Sequence, residues 1–395
     1  MLISITYILF FGMLLGYLCK KVRFPSLFGM IIAGILIGPY AFNLIDGSIL
    51  NISNEIRKIA LIIILIRAGL KLSASDLKKV GRPAILMCFL PATFEVVGMI
   101  LIAPKLIGLS VLESAILGAV IAAVSPAVIV PRMIKLIDEG YGSAKAIPQM
   151  ILAGASVDDV FVIVLFTTFT SLAQGEKVNV MSFLNIPISV IVGILVGLIA
   201  GYILFRFFHF KKMDPVVQAV ILLGTCFILT TLEDQFGAYV PFASLIGVMS
   251  VGLMLRMKNE DTAKQLSKVF DKMWIVAEVF LFVLVGASVQ IISLKDAGIK
   301  GVILILSVLI FRMVGVFVCL IRTKLNSKEK LFSMLAYTPK ATVQAAIGGL
   351  PLAMGLACGN IVLTISVIAI MVTAPLGAFS IDLTYKKCLQ KGVED

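Results

Sequence analysis

Long apolar segments, separated by short and often basic loops, recur along almost the whole chain and constrain its fold more than any other feature. A helix that crosses a bilayer needs about 20 mainly apolar residues. About thirteen segments approach this length, and they lie at residues 2–18, 25–42, 54–71, 83–104, 112–136, 147–172, 185–207, 215–232, 240–257, 273–292, 300–322, 329–353 and 359–385. The sequence therefore predicts an all-α membrane protein.

The composition agrees with a lipid environment and not with a soluble fold. Of the 395 residues, 60% are hydrophobic and only 14% are charged, whereas soluble domains carry about 25% charged residues. The formal net charge is +12, but no basic stripe is interleaved with aromatic residues, so nucleic acid is not an expected partner. The lipid bilayer is the surroundings that this composition predicts.

The basic residues predict the orientation of the chain. Most Lys and Arg residues follow odd-numbered segments or the last one, as Lys20 and Lys21 follow the first and Lys386 and Lys387 follow the thirteenth. Positive loops stay on the cytoplasmic side. We therefore expect a multi-pass protein of the plasma (inner) membrane, with its N-terminus outside and its C-terminus in the cytoplasm.

The loops are too short for a soluble catalytic domain. The longest is expected at residues 258–272, and the chain contains no GxxxxGK[ST] motif for binding nucleotide phosphates. We expect no cofactor and no enzymatic activity, so any active transport would use an ion gradient.

Few charges lie within the apolar segments. Such a charge costs about 2.5–3.5 kcal/mol at mid-membrane, and it usually marks a function. Arg67 lies near a segment end and is expected to extend to the membrane surface. The remaining intramembrane candidates are Glu95, Asp158, Asp159, Arg312 and Lys340.

Two adjacent acids, Asp158 and Asp159, lie near the middle of the sixth segment, in GASVDDVFVIVLF. Two carboxylates in apolar surroundings cannot both ionise without a nearby cation. Hard cations prefer oxygen ligands, so a carboxylate that takes either H⁺ or Na⁺ would couple the two ions. This pair predicts an ion-exchange site.

Two segments carry a small polar residue followed by proline: Ser125-Pro126 in the fifth and Thr338-Pro339 in the twelfth. Proline interrupts a helix, and interrupted helices at matching positions in two halves indicate a transporter site. Lys340 follows directly, where it could neutralise the C-terminal ends of half-helices or pair with an aspartate.

Two further charges are each alone in their segment, at similar depth. Glu95 lies in FLPATFEVVGM of the fourth segment and Arg312 in LIFRMVGV of the eleventh. An ion pair between them would relieve the cost of burying both.

The chain resembles the cation:proton antiporter superfamily, and within it the NHA-type sodium/proton exchangers. Five stretches carry the resemblance: IRAGL (66–70), PATFE (91–95), AAVSPAVIVP (122–131), GASVDD (154–159) and TPKATVQAAIG (338–348). The resemblance implies an inverted-repeat antiporter fold with two discontinuous crossing helices, Na⁺ or Li⁺ and H⁺ as substrates, and a role in pH homeostasis.

The resemblance also implies roles for individual residues and segments. Asp159 would bind the ion and proton, with Asp158 as its partner, Ser125 and Ser156 as neutral ligands, and Glu95 paired with Arg312. An elevator-like core at 54–172 and 273–385 would move against a dimerisation domain at 1–42 and 185–257, in a homodimer. The number of protons exchanged per Na⁺ stays open, because coupled acids titrate together.

Three alternative functions fit the sequence less well. A sodium-coupled symporter of organic solutes would need more polar groups than Thr342 and Gln344 offer, and a channel would need a polar filter. An intramembrane aspartyl protease would need its two aspartates on different helices. An antiporter is therefore the function that the sequence favours.

Overall fold

The computed structural model describes residues 1–22, 24–71, 81–175, 180–211, 213–236, 242–289 and 291–391. In those ranges the chain is helical apart from turns, loops and one isolated bridge between Tyr141 and Lys391. The predicted all-α class is confirmed. The α-helices are α1 (Leu2–Lys21), α2 (Ser26–Ile37), α3 (Gly47–Asn51), α4 (Ser53–Lys71), α5 (Arg82–Met87), α6 (Leu90–Ile107), α7 (Val111–Ala122), α8 (Pro126–Asp138), α9 (Ile147–Ala173), α10 (Val180–Phe210), α11 (Pro215–Phe236), α12 (Ser244–Lys258), α13 (Glu260–Ala287), α14 (Ile291–Cys319), α15 (Ser327–Ala336), α16 (Thr342–Ile347), α17 (Leu350–Ala353) and α18 (Gly359–Cys388).

Seven helical segments within the described ranges are long and apolar enough to cross a membrane. Shorter apolar helices occur as well, including the twelve residues of α2. The membrane class is therefore confirmed, while the number of about thirteen spanning helices remains a prediction. The seven segments are Leu2–Lys21, Arg82–Ile107, Val111–Asp138, Ile191–Phe210, Pro215–Glu233, Gly298–Cys319 and Gly359–Cys388.

Helix boundaries differ from the predicted segments where local chemistry intervenes. Helix α2 ends at Ile37, because Gly38 precedes Pro39 and adopts an extended conformation, as residues before proline generally do. The loop expected at 258–272 is wrong, since α13 begins at Glu260. Asn259 starts this helix by accepting a hydrogen bond from the Thr262 N–H at 3.0 Å.

The two discontinuous helices predicted from Ser125-Pro126 and Thr338-Pro339 are present, and each starts with a capping box. At the start of α7, Ser110 Oγ accepts from the Glu113 N–H and Glu113 accepts from the Ser110 N–H. Asn326 and Glu329 make the same reciprocal pair at the start of α15. These caps satisfy N–H groups that the first turn of a helix leaves free.

The chain divides into two compact units. The first comprises Met1–Asn54, Ser75–Gln174 and Val279–Asp395, and the second comprises Glu55–Ala74 and Gly175–Glu278. The predicted core and dimerisation segments concern which helices move together, and that division remains a prediction.

Arg67 lies in the second unit and is ion-paired there. Its guanidinium contacts Asp271 at 2.7 Å and lies 5.3 Å from the centre of the Trp274 ring. Lys71 contacts the same carboxylate at 2.8 Å. The charge is thus held by a partner, and extension to the membrane surface is not needed to explain it.

Candidate functional site

The breaks in the two discontinuous helices lie against each other in the first unit. Residues 123–125 separate α7 from α8, and residues 337–341 separate α15 from α16. The Ser125 N–H donates to the Pro339 carbonyl at 2.8 Å, which joins the two interruptions directly. Pro126 is the first residue of α8, a position where the missing N–H of proline costs nothing.

The two aspartates lie on α9, near the middle of that helix and deep in the protein. Asp158 is fully buried and Asp159 is 5% exposed. Thr338 and Lys340, at the second break, are also buried. The side chain of Ser156, a predicted ligand, lies outside the described part of the structure.

Glu95 on α6 and Arg312 on α14 approach each other because glycines let the two helices pack closely. A Cβ atom at Gly98 would lie 2.6 Å from a ring carbon of Phe311, and one at Gly315 would lie 2.8 Å from the Cα of Pro91. Each glycine is three residues after a charged one, so it lies on the same helix face. The close packing brings the two charges within hydrogen-bonding distance.

The Arg312 guanidinium is fully buried and connects several elements of the site. Its Nη1 donates to Glu95 Oε2 at 2.8 Å, and its Nη2 donates to Asp158 Oδ2 at 2.9 Å. It also donates to the last carbonyl of α7, at Ala122, and its Nε donates to the Tyr337 carbonyl after α15 at 2.6 Å. A helix leaves such C-terminal carbonyls unpaired and negatively polarised, so the cation stabilises both broken ends.

Lys340 is paired with Glu95. Its Nζ lies 2.6 Å from Glu95 Oε2 and 3.4 Å from the Ala122 carbonyl oxygen. The sequence predicts that Lys340 neutralises the ends of half-helices or pairs with an aspartate such as Asp158. In the structure Lys340 pairs with Glu95 instead, and Arg312 is the cation that contacts Asp158.

The backbone of the first break also holds Asp158. The Val124 N–H donates to Asp158 Oδ2 at 2.8 Å. The same oxygen therefore accepts from Arg312 and from the backbone, which fixes one side of this carboxylate. Such charge-assisted bonds are among the stronger ones in proteins.

Three buried oxygens of the site have no described partner. Among the described residues, no hydrogen-bond partner is found for Asp159 Oδ1, for Asp158 Oδ1 or for the Ser125 hydroxyl, and all three atoms are buried. Buried oxygens without partners are costly, and a hard cation or a proton would satisfy them. Chemically, the carboxylate oxygens among them can accept either H⁺ or a small hard cation.

With all four groups in their ionised forms, the charges of the site balance without Asp159. Arg312 and Lys340 supply two positive charges, and Glu95 and Asp158 supply two negative ones, all fully buried. Asp159 is the additional carboxylate beside this balanced network. Its charge is the one that a bound Na⁺ or H⁺ would compensate.

Two further groups lie at the site. The sequence suggested Gln344 only as a polar group for an organic solute, but its amide donates to carbonyls at the end of α7 and at Ala123. Thr373 on α18 accepts from the Lys340 N–H at 2.9 Å. A glutamine within the apolar run TVQAAIGG is a signal that could have been used for Gln344; Thr373 carries no comparable signal.

Comparison with known proteins finds one extensive family match. Residues 7–387 match the profile of a family described as "Sodium/hydrogen exchanger, transmembrane". The chain is 32% identical to sodium/hydrogen exchanger 9B2 of Mus musculus, over 93% of this chain and 69% of that protein. It is 30% identical to sodium/hydrogen exchanger 9B1 of Homo sapiens, over 93% of this chain and 73% of that protein.

The fold is also similar to that of a solved structure. The sodium proton antiporter MjNhaP1 from Methanocaldococcus jannaschii superposes with a TM-score of 0.85, over 97% of each chain. Sequence identity to it is 21%. The predicted antiporter fold is thereby confirmed.

Proposed function

Because the chain belongs to the transmembrane sodium/hydrogen exchanger family, we propose that it is a secondary active antiporter that exchanges Na⁺ or Li⁺ for H⁺. Its substrates are ions, and an existing ion gradient supplies the free energy. The protein is a membrane transporter and not an enzyme in this proposal.

The observation that carries the proposal is the contrast between Asp158 and Asp159. The Oδ1 atoms of both carboxylates are buried without a described partner, but Asp158 Oδ2 is held by Arg312 and the Val124 N–H, whereas no described residue forms a hydrogen bond or ion pair with Asp159. Asp159 takes either H⁺ or Na⁺, and the unpaired oxygens of Asp158 and Ser125 offer further ligands. Because both ions use the same oxygens, each excludes the other.

The balance of the neighbouring charges supports a ratio of one H⁺ to one Na⁺. Arg312 and Lys340 offset Glu95 and Asp158, so protonation or cation binding at Asp159 leaves the same total charge. The site then carries equal charge in both directions of the cycle. Exchange of this kind moves no net charge across the membrane.

Exchange also requires that the site open to each side in turn. We propose elevator-like alternating access, in which helices within 54–172 and 273–385 carry the site and those within 1–42 and 185–257 form the scaffold of a homodimer. Ser156 is a further candidate ligand. The proposed setting is the plasma membrane, with the N-terminus outside and the C-terminus in the cytoplasm.

A sodium-coupled symporter of organic solutes is less well supported. The polar residue most available for a solute, Gln344, already shares its two amide N–H donors among three backbone carbonyl oxygens. Thr342 retains a buried hydroxyl without a partner in the described residues, but one hydroxyl is a poor basis for recognising a solute.

The proposal is tested in proteoliposomes that are acidic inside, with a dye that reports ΔpH. Addition of Na⁺ or Li⁺ outside should dissipate the gradient in the wild type, and Asp159→Asn should abolish this while the protein remains folded. The matched control is Asp261→Asn, which changes an exposed aspartate at the start of α13. Dissipation that persists in Asp159→Asn would remove this carboxylate from the site.

The same vesicles test the charge balance. With K⁺ and valinomycin clamping the membrane voltage, the rate of exchange should be the same at zero voltage and at either polarity. A rate that rises with one polarity would mean that more than one proton moves per Na⁺. A second exchanging proton would then be carried by one of the four charged residues beside Asp159, and Asp158 would be the first candidate.

A further inference from the structure

Gln344 connects the two broken helices through its side chain. It lies on α16, after the second break, and is fully buried. Its Nε2 lies 3.2, 3.0 and 2.9 Å from the carbonyl oxygens of Val120, Ile121 and Ala123. The amide thus faces the C-terminal end of α7, in the other broken helix.

These carbonyls need partners because they belong to the end of a helix. The last four carbonyls of an α-helix have no partner within it and carry partial negative charge, and the bilayer core offers no water to pair them. The Ala122 carbonyl is taken by Arg312 and lies 3.4 Å from Lys340 Nζ. Gln344 shares its two uncharged N–H donors among the three neighbouring carbonyls.

The covered carbonyls lie next to the ion site. The residue that follows Ala123 donates its N–H to Asp158, and the Arg312 guanidinium touches both Asp158 and the Ala122 carbonyl. Backbone carbonyls are good ligands for hard cations. Unlike a carboxylate, they do not titrate, so a proton cannot displace a cation from them.

We propose that Gln344 is a positioning residue that occupies these carbonyl oxygens and so keeps the transported cation on the carboxylates. A cation that bound the carbonyls would enter the site without displacing a proton, and exchange would lose its coupling. The inference rests on the proposed exchange function, and it assigns to Gln344 the tight coupling of Na⁺ to H⁺.

The first test measures the apparent KM for Na⁺ as a function of pH in the wild type and in Gln344→Met. Methionine is similar in length and volume but has no N–H donor. In the wild type, KM should fall about tenfold per pH unit where protons compete for the carboxylate, whereas in Gln344→Met it should change by about threefold or less. Gln149→Met, at a half-buried glutamine near the start of α9, is the matched control and should behave like the wild type.

The second test needs no transport. Melting in detergent is compared in NaCl and in choline chloride at a pH low enough to protonate the carboxylates. The wild type and Gln149→Met should show no difference, whereas Na⁺ should raise the melting temperature of Gln344→Met by about 3 °C or more, since ligand binding stabilises the folded state.

The two tests separate the inference from the exchange function. Exchange in the wild type, with unaltered pH dependence and no acid-pH Na⁺ effect in Gln344→Met, would overturn the role of Gln344 and leave the exchanger intact. If the wild type shows no exchange but Na⁺ stabilises Gln344→Met in acid, the exchange function is overturned. The shielding of the carbonyls by Gln344 would then still stand. If Gln344→Met does not fold, Gln344→Asn replaces it: its amide is one methylene too short to cover all three carbonyls, and wild-type behaviour would again overturn the proposal.

Discussion

Asp158 and Asp159 are adjacent in sequence but have different chemical surroundings. Successive residues on a helix point about 100° apart, so only Asp158 faces Arg312 and the Val124 N–H. No described residue forms a hydrogen bond or ion pair with Asp159, whose Oδ1 is buried. Two identical neighbouring residues can therefore differ in how firmly the fold holds them, and the exchange role of Asp159 is the part that we propose.

Glu95 stabilises two buried cations with one oxygen, so its removal should be costly. Glu95→Gln leaves Lys340 and Arg312 facing a neutral amide, and breaking a buried ion pair typically costs about 3–5 kcal/mol. We expect a large fall in the melting temperature in detergent. The double variant Glu95→Gln/Lys340→Met should recover much of the loss, because it removes the stranded ammonium as well.

The control for Glu95 is the same substitution at an exposed site. Glu260 contacts two cations, Arg256 at 3.5 Å and Lys264 at 3.1 Å, but is 58% exposed. Exposed ion pairs contribute little to stability, so Glu260→Gln should leave the melting temperature nearly unchanged. Equal effects of Glu95→Gln and Glu260→Gln would mean that the buried network does not support the fold.

At the scale of elements, α18 packs against the second break and holds it in place. A Cβ atom added at Gly377 on α18 would lie 2.3 Å from the Cγ of Pro339, too close for any contact. Gly377 thus lets α18 pack directly on the interruption. The position of Lys340, one residue after Pro339, depends on this packing.

Gly377→Ala should therefore displace the second break. We expect a loss of about 1–3 kcal/mol of stability, the usual cost of overpacking, together with slower exchange. Gly224→Ala on α11 is the control, because a Cβ atom there meets nothing within 4 Å. Alanine at that helical position should be neutral or slightly stabilising. Normal stability and transport in Gly377→Ala would show that the packing can shift without consequence.

The elements were more predictable from sequence than their contacts. Both interruptions follow from Ser125-Pro126 and Thr338-Pro339, because proline acts locally. The partners of Arg312 do not follow from any local rule, since its guanidinium reaches Glu95, Asp158 and two backbone carbonyls that lie far apart in sequence. The similar depth of Glu95 and Arg312 suggests that they lie close together. The other contacts of Arg312, with Asp158 and the two carbonyls, depend on tertiary packing.

Helix boundaries also differ in how well the sequence predicts them. The end of α2 before Pro39 is a local effect that the sequence contains. The sequence does not predict the start of α13 at Glu260, because residues 258–272 carry many charges, which are typical of a loop in a membrane protein. A charged helix that extends beyond the apolar segment satisfies the same pattern.

At the scale of the whole molecule, the bias of basic residues predicts the orientation. Lys105 and Lys211 are both exposed in the structure and belong to predicted loops on opposite sides. In a background without native cysteines, Lys105→Cys should react with a membrane-impermeant maleimide in intact cells. Lys211→Cys should react only after permeabilisation. The reverse pattern would invert the proposed topology.

The network of Glu95, Asp158, Arg312 and Lys340 also has a consequence for how this chain can change over evolutionary time. Each single neutral replacement leaves a buried charge without its counterpart, whereas a paired replacement keeps the total unchanged. Accepted mutations at these positions should therefore arise in compensating pairs, and a random-mutagenesis library selected for folded protein should recover doubles where singles are lost. Asp159 forms none of these ion pairs, so under the proposed function we expect selection on transport, and not on folding, to retain it.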